Sequence, residues 1–372
     1  MSVEKIGKIE AIALILIVVI NEIVLNIPNI IILSTGSGTS INIIFVSILA
    51  VIFTYIICKL FKPFLGKDIL DISEYVGGIT LKTIVGILFM LFFVVIASLS
   101  VKFFANFIKS VYFNSSPIVF ILLFFLIPAL FINKFGIKAI SGVNLIFAPL
   151  LILSLAFLLV SSYNNFTIER IFPLFGNSFL STFVIGSTNI FAFSGLAYLY
   201  FMPSLLKDVK DFKKVSMVSI ILSAICLVFS IISLMMSFPA VASTDETISL
   251  YLLTRMIKFG NFIEILDAIF IFIWIISLIS FLSLTFFYIL RIFKRITKIE
   301  DSKGLIYSLG LITLGNCLAL KNISIIKFLA RVVCKYYVLA LVFGISLIIL
   351  IIANIKYKRN CSLEVRGGRW EV

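Results

Sequence analysis

The stretch NEIVLNIP at residues 21–28 interrupts an apolar segment that runs over residues 9–33. A second apolar segment, residues 183–203, is interrupted in a similar way by NIFAFSG at residues 189–195. Each interruption lies near the middle of its segment, where irregular backbone survives only if it is buried in protein or lines a cavity. Two interrupted helices at matching places in the two halves of a chain indicate a binding site of the kind found in secondary transporters.

The composition predicts a membrane protein and excludes most catalytic sites. Of the 372 residues, 62% are hydrophobic and the mean hydropathy is +1.24, whereas soluble domains contain roughly 45–50% apolar residues. The sequence has no histidine, which rules out Ser-His-Asp triads, histidine metal sites and histidine proton relays. It also has no phosphate-binding loop or dinucleotide fingerprint, and its five cysteines form no C-x-x-C pair. We therefore expect no enzymatic activity and no metal or other cofactor.

Ten segments are apolar and long enough to be candidate membrane-spanning helices, which need roughly 20 residues each. They cover residues 9–33, 41–61, 79–108, 118–133, 139–160, 183–203, 215–239, 264–290, 304–320 and 331–355. This spacing predicts an all-α polytopic membrane protein with ten transmembrane helices in a five-plus-five inverted repeat, in which helices one and six are broken. The predicted units are an N-terminus (1–8), a first repeat (9–162), an outer loop (163–182), a second repeat (183–355) and a tail (356–372).

The predicted topology accounts for the net charge of +14. With Met1 on the cytoplasmic side, most of the 31 basic residues fall in cytoplasmic segments, as the positive-inside rule requires. Both termini are then cytoplasmic, the lipid bilayer surrounds the chain, and we expect no nucleic-acid partner. The acidic residues Asp68, Asp71 and Glu74 have lysine neighbours in the sequence, which predicts a solvated cytoplasmic face.

Glu22 is the first candidate for a functional side chain, because it lies near the midpoint of helix one. An ionisable group at that depth costs at least ~2.5 kcal/mol on insertion and is a functional-site hypothesis by default. It could bind a cation, bind the amine of a substrate or carry a coupling proton; alternatively, it is a protonated structural acid inside the bundle. No lysine or arginine within the membrane is an obvious partner for it.

The backbone around Asn26 and Ile27 is the second candidate in helix one. Pro28 cannot donate a backbone hydrogen bond and disfavours helix at the residue before it. Carbonyl groups one turn earlier then become available to a ligand. A simple proline kink is the alternative interpretation.

In helix six, the candidates are Phe191, Phe193, Ser194 and Gly195. Free N–H groups at the start of a half-helix favour a carboxylate, and the two phenylalanines could line an apolar pocket. A contact between helices through small residues explains the serine and glycine equally well when this helix is taken alone. Asp267, at the start of helix eight, is a candidate for a vestibule, although an acidic residue at a helix start is favourable in any case.

Four stretches carry a family resemblance: ERIFPLFG at 169–176, FSGLAYLYFMP at 193–203, YLLTRMI at 251–257, and residues 262–274. Together they resemble the GerAB-type spore germination permeases, the B subunits of endospore germinant receptors, over roughly residues 5–358. These are similar to the amino acid–polyamine–organocation transporters. The resemblance implies a small nutrient, such as an amino acid, bound between helices one and six. It also implies an A-type membrane subunit and a C-type lipoprotein subunit as partners, and the spore inner membrane as the location.

Two functions remain open from the sequence. The first is a membrane-embedded subunit that senses a germinant and signals through its partners. The second is a proton- or sodium-coupled secondary transporter of amino acids, for which Glu22 could serve as the intramembrane base. Helix five, residues 139–160, has no internal lysine or carboxylate, which favours the sensor.

Overall fold

The computed structural model describes residues 4–25, 27–176, 178–238, 249–256, 266–299 and 303–367. Its α-helices are α1 Lys8–Leu25, α2 Ile27–Thr35, α3 Thr39–Phe61, α4 Ile69–Val111, α5 Ile118–Asn133, α6 Gly136–Ser161, α7 Leu196–Leu199, α8 Phe212–Ser237, α9 Ser249–Met256, α10 Leu266–Thr297, α11 Lys303–Ala319, α12 Ile323–Phe328, α13 Lys335–Val338 and α14 Ser346–Gly367. Within the described ranges, the extended pairing is one isolated bridge, between Ile6 and Leu206.

The all-α membrane architecture predicted from the sequence is confirmed. Six helical spans in the described residues are long and apolar enough to cross a membrane, and three shorter apolar helices accompany them. Large apolar side chains such as Phe120, Ile146 and Leu311 point away from the protein interior, as expected of surfaces that face acyl chains. Each of the ten predicted segments overlaps at least one of the helices above. The inverted relation between the two halves stays a prediction.

In the first segment, the structure describes helix on both sides of the predicted interruption. α1 is described up to Leu25 and α2 from Ile27, while Asn26 lies outside the described residues. Pro28 is the second residue of α2. A break between α1 and α2 stays a prediction, with a simple proline kink as the alternative.

The sixth segment has little regular α-helix. A π-helical stretch, Leu180–Ile185, is followed by a 3₁₀ stretch, Gly186–Phe193, and only then by the four residues of α7. Hydroxyl groups contribute to this geometry, since Ser187 Oγ and Thr188 Oγ1 donate to the carbonyls of Val184 and Ile185 at 2.7 Å. Such local bonds compete with the regular helical ladder. Departures of this kind inside helices are frequent at functional sites.

Two other predicted segments differ from their predicted limits. α4 begins at Ile69, before the predicted residue 79, and is kinked at Gly77 and Gly78, where Gly78 has a φ of 72°. The tenth segment contains two π-helical stretches, Leu329–Cys334 and Leu339–Ile345, with α13 between them. α14 continues to Gly367, beyond the predicted limit at residue 355, because a helix needs no apolar residues once it leaves the membrane.

Candidate functional site

The two interrupted segments meet directly through Glu22 and Ser194. The Ser194 hydroxyl donates a hydrogen bond to Glu22 Oε2. The Glu22 side chain is 6% exposed, and its other oxygen, Oε1, has no hydrogen-bond partner among the described residues. A buried carboxylate oxygen without a donor is costly. It therefore marks a position at which a ligand could supply the missing donor.

A cavity of about 90 Å³ lies beside this contact. Its walls come from α1, α2, α4, the sixth segment, α12 and the region from Leu329 to α13. Its polar lining residues are Glu22, Ser100, Ser194 and Cys334, and its apolar ones are Ile27, Ile30, Ile96, Leu99, Phe103, Phe191, Ile326, Ala330 and Val338. The cavity thus combines one acidic group with mostly aliphatic walls, which is the usual composition of a small-molecule site.

Gly195 brings the sixth segment against α1 and does not line the cavity. A Cβ atom at this position would lie 2.6 Å from Val19 Cγ2 and 3.2 Å from Val18 Cγ1, both too close for carbon atoms. Its φ of −55° is ordinary right-handed helix. The residue at this contact must therefore be small, but it does not need a backbone conformation that only glycine adopts readily.

The remaining candidates are distributed as follows. Ile27 and Phe191 line the cavity, whereas Phe193 is fully buried outside its lining. Asn26 is outside the described residues, and for Asp267 the structure describes only the backbone, in the first turn of α10. The structure therefore brings Glu22, Ile27, Phe191 and Ser194 together around one cavity, with Gly195 behind them.

A buried polar network next to the cavity was missed by the sequence analysis. Asn189 Nδ2 donates to Ser34 Oγ at 2.9 Å and to Asn42 Oδ1 at 2.8 Å. Its Oδ1 accepts a hydrogen bond from Lys335 Nζ at 3.1 Å. The Lys335 ammonium also lies 5.5 Å from the centre of the Phe191 ring. A lysine is therefore buried close to the site, although the sequence offers no obvious basic partner for Glu22. The signal in the sequence is the position of Lys335 within an apolar segment.

The acidic residues after α3 are not all solvated, contrary to the sequence prediction. Asp68 has no exposed surface, and Arg295 from α10 forms ion pairs with both Asp68 and Asp71. Ser204 Oγ donates to Asp68 Oδ2 at 3.1 Å and accepts from Arg291 at 3.0 Å. Burial raises the pKa of the Asp68 carboxyl, and the charge of Arg295 opposes that rise. This ion cluster binds α4, α10 and the end of the sixth segment together.

Along the chain, the sixth segment carries a layer of aromatic rings between Ser194 and the residue that joins the ion cluster, Ser204. Tyr198 packs 4.8 Å from Phe93, and Phe201 packs 4.9 Å from Phe89, measured between ring centres. The Tyr198 hydroxyl is 2.7 Å from Thr285 Oγ1. The rings and the ion cluster close the end of the bundle at which α1 begins.

Comparisons with known proteins agree with this architecture. Residues 5–326 match a family described as spore germination protein. No curated protein is similar to the chain at a significant level. Among solved structures, the substrate-bound outward-open state of a Na⁺-coupled sialic acid symporter is similar with a TM-score of 0.63 and 12% identity, covering 92% of this chain and 80% of that one. A manganese transporter of Eremococcus coleocola has a TM-score of 0.55 and 14% identity, covering 93% and 76%. At these identities the likeness shows a shared transporter fold and no more.

Proposed function

This chain belongs to the spore germination permease family, and we propose that it is the membrane-embedded, germinant-sensing subunit of a spore germination receptor. In this proposal, a small nutrient of the amino acid class binds at mid-membrane in the cavity between the two interrupted segments. The observation that carries the proposal is the contact between Ser194 and Glu22, with an unpaired carboxylate oxygen beside a cavity.

The chemistry of the cavity suits a small ligand that carries an amine. An ammonium group donating to Glu22 Oε1 would satisfy a buried acceptor and neutralise a buried charge at once. The aliphatic walls would contact a short apolar side chain. For scale, an engineered cavity of about 150 Å³ in another protein binds benzene, so about 90 Å³ favours a ligand smaller than that.

Sensing is favoured over transport by helix five, residues 139–160, which has no internal lysine or carboxylate. A ligand could leave toward the end where α1 begins only if the aromatic layer and the ion cluster of Asp68, Asp71 and Arg295 separated, and a transporter working by alternating access would have to open them. Transport by a proton- or sodium-coupled mechanism is the second candidate function. Its support is the transporter fold together with Glu22, a buried carboxylate that could carry a proton.

The assembly and the orientation belong to the same proposal. An A-type membrane subunit and a C-type lipoprotein subunit would carry the signal from the occupied cavity. With both termini cytoplasmic in the spore inner membrane, the closed end faces the cytoplasm and the cavity is reached from the other side. Affinity purification of the tagged chain from spore membranes should recover two such subunits, and recovery of the chain alone would remove this part of the proposal.

Uptake and germination measured together distinguish the two functions. Proteoliposomes holding this chain alone should take up no labelled neutral amino acid above the background of empty vesicles. Spores carrying Ser194→Ala should need more nutrient for the same germination rate, because Glu22 loses its donor and position. Robust saturable uptake would overturn the sensing role in favour of transport. A wild-type response in Ser194→Ala spores would argue against the shared cavity.

A further inference from the structure

The side chain of Lys335 is a buried basic group that lacks a full set of hydrogen-bond partners among the described residues. It is 8% exposed and begins α13, between the two π-helical stretches of the tenth segment. Its ammonium group has three hydrogen-bond donors, and the described contacts are Asn189 Oδ1 and the face of Phe191. Among the described residues, no carboxylate lies within ion-pair distance of it.

An ammonium group in this environment favours an anionic partner. An amide oxygen and an aromatic face stabilise a buried cation only in part, and ionised groups at membrane depth normally pair with one another. Glu22 is the complementary case, a buried carboxyl group with no cationic partner among the described residues. The site therefore presents one acidic and one basic group, each without an ion-pair partner in the described part of the chain.

Phe191 connects the two charges. Its ring lines the cavity together with Glu22, and the same ring lies under the Lys335 ammonium. Cys334, the residue before Lys335, also lines the cavity. Because lysine has a flexible four-carbon stem, its ammonium group could move past the Phe191 ring to reach a ligand in the cavity.

We propose that Lys335 binds the carboxylate of the ligand whose ammonium group binds Glu22, so that the cavity selects zwitterionic amino acids. This inference rests on the proposed nutrient site and adds a specificity residue to it. A ligand that lacks the carboxylate would leave Lys335 in the contacts seen in the structure. It would bind more weakly, because it could not form charge-assisted hydrogen bonds with the lysine. That difference corresponds to about 10- to 100-fold in affinity.

The test compares two probes on the full chain in lipid nanodiscs. One probe is the tightest binder among glycine, L-alanine, L-serine and L-valine, and the other is the primary amide of the same amino acid, which keeps the amine and loses the carboxylate. The wild-type chain should bind the amino acid about 10- to 100-fold more tightly than the amide. Lys335→Met should weaken amino acid binding by that factor. It should change the affinity for the amide by no more than about twofold, because the amide makes no contact with Lys335 that the variant could remove.

Two further variants keep the result interpretable. Lys335→Gln can still donate to Asn189 but carries no charge, so it should behave like Lys335→Met. Lys102→Met removes another buried lysine, 4% exposed in α4 and outside the cavity lining, and should leave the affinity for both probes unchanged.

The possible failures are distinguishable. Equal weakening of both probes by Lys335→Met and Lys335→Gln would mean that Lys335 only supports the local structure, and unchanged binding of both would mean that it does not contact the ligand. Either result overturns the inference and leaves the nutrient site in place. If the wild-type chain binds none of the probes, the proposed nutrient site fails and this inference fails with it.

Discussion

Replacing Gly195 by alanine tests whether the two interrupted segments form one site. The added Cβ would lie 2.6 Å from Val19 Cγ2, whereas carbon atoms in contact prefer about 3.5–4.0 Å. The sixth segment and α1 must therefore move apart by roughly 1 Å. Overpacking of this kind costs about 1–3 kcal/mol.

The displacement should reach the ligand site because the neighbouring residues form it. Ser194 precedes Gly195, and Glu22 lies one turn after Val19 on α1. Separation would stretch the Ser194–Glu22 hydrogen bond, and losing a bond to a charged group reduces nutrient affinity by about 10- to 100-fold. The measurement is equilibrium binding of a labelled neutral amino acid to the purified chain, together with thermal unfolding of each variant.

Two variants complete the experiment. Val19→Ala removes the Cγ atoms that the new Cβ would strike, so Gly195→Ala with Val19→Ala should recover much of the lost affinity, with a coupling energy of about 1 kcal/mol or more. Gly142→Ala is the matched control, because a Cβ there meets nothing within 4 Å. Wild-type affinity in Gly195→Ala, or no recovery in the double variant, would refute the close-contact reasoning.

Three further predictions concern the same molecule. Glu22→Gln retains an acceptor for Ser194 but loses the charge, so nutrient affinity should fall about 10- to 100-fold in titrations while the unfolding temperature holds or rises; undiminished affinity would exclude Glu22 as the amine partner. Arg295→Ala should lower the free energy of unfolding by about 3 kcal/mol in denaturant titrations, since it leaves Asp68 buried without its ion pair. Arg295→Ala combined with Asp68→Asn should recover part of that loss, and equal stability of the wild type and both variants would contradict the buried cluster. Bound nutrient should slow alkylation of Cys334, which lines the cavity, but not of Cys226 in α8, which lies outside the cavity lining; parallel slowing of both would point to a general change of conformation.

Local patterns in the sequence were sufficient for the helical architecture and for the irregular backbone of the sixth segment. The apolar lengths fix most of the spanning segments. The pairing of helices one and six required only that two interruptions fall at equal offsets in the chain. The structure joins them through Glu22 and Ser194, two residues that the sequence had already selected.

What the sequence could not supply depends on contacts between distant residues. Asp68 is buried because Arg295, on another helix, compensates its charge, and charge counting along the chain predicts a solvated face instead. Lys335 was not among the candidates from the sequence, because its place at the site depends on contacts with Asn189 and Phe191 of a distant segment. Gly195 was selected as a point of helix unwinding, while the structure shows right-handed helical backbone there and a tight contact with Val19. The π-helical stretches likewise depend on packing between segments.

Filling the cavity tests the central claim most directly. Ala330 lines the cavity from the π-helical stretch Leu329–Cys334, and Val333, one turn further, is 44% exposed on the outside of the bundle. The measurement is saturable binding of a labelled small neutral amino acid to the wild-type chain, Ala330→Phe and Val333→Phe in nanodiscs. We predict that Ala330→Phe abolishes binding, because a phenyl ring and a ligand cannot both fit in a cavity of about 90 Å³. Val333→Phe should bind like the wild type. Undiminished binding by Ala330→Phe would contradict a nutrient site between the two interrupted segments.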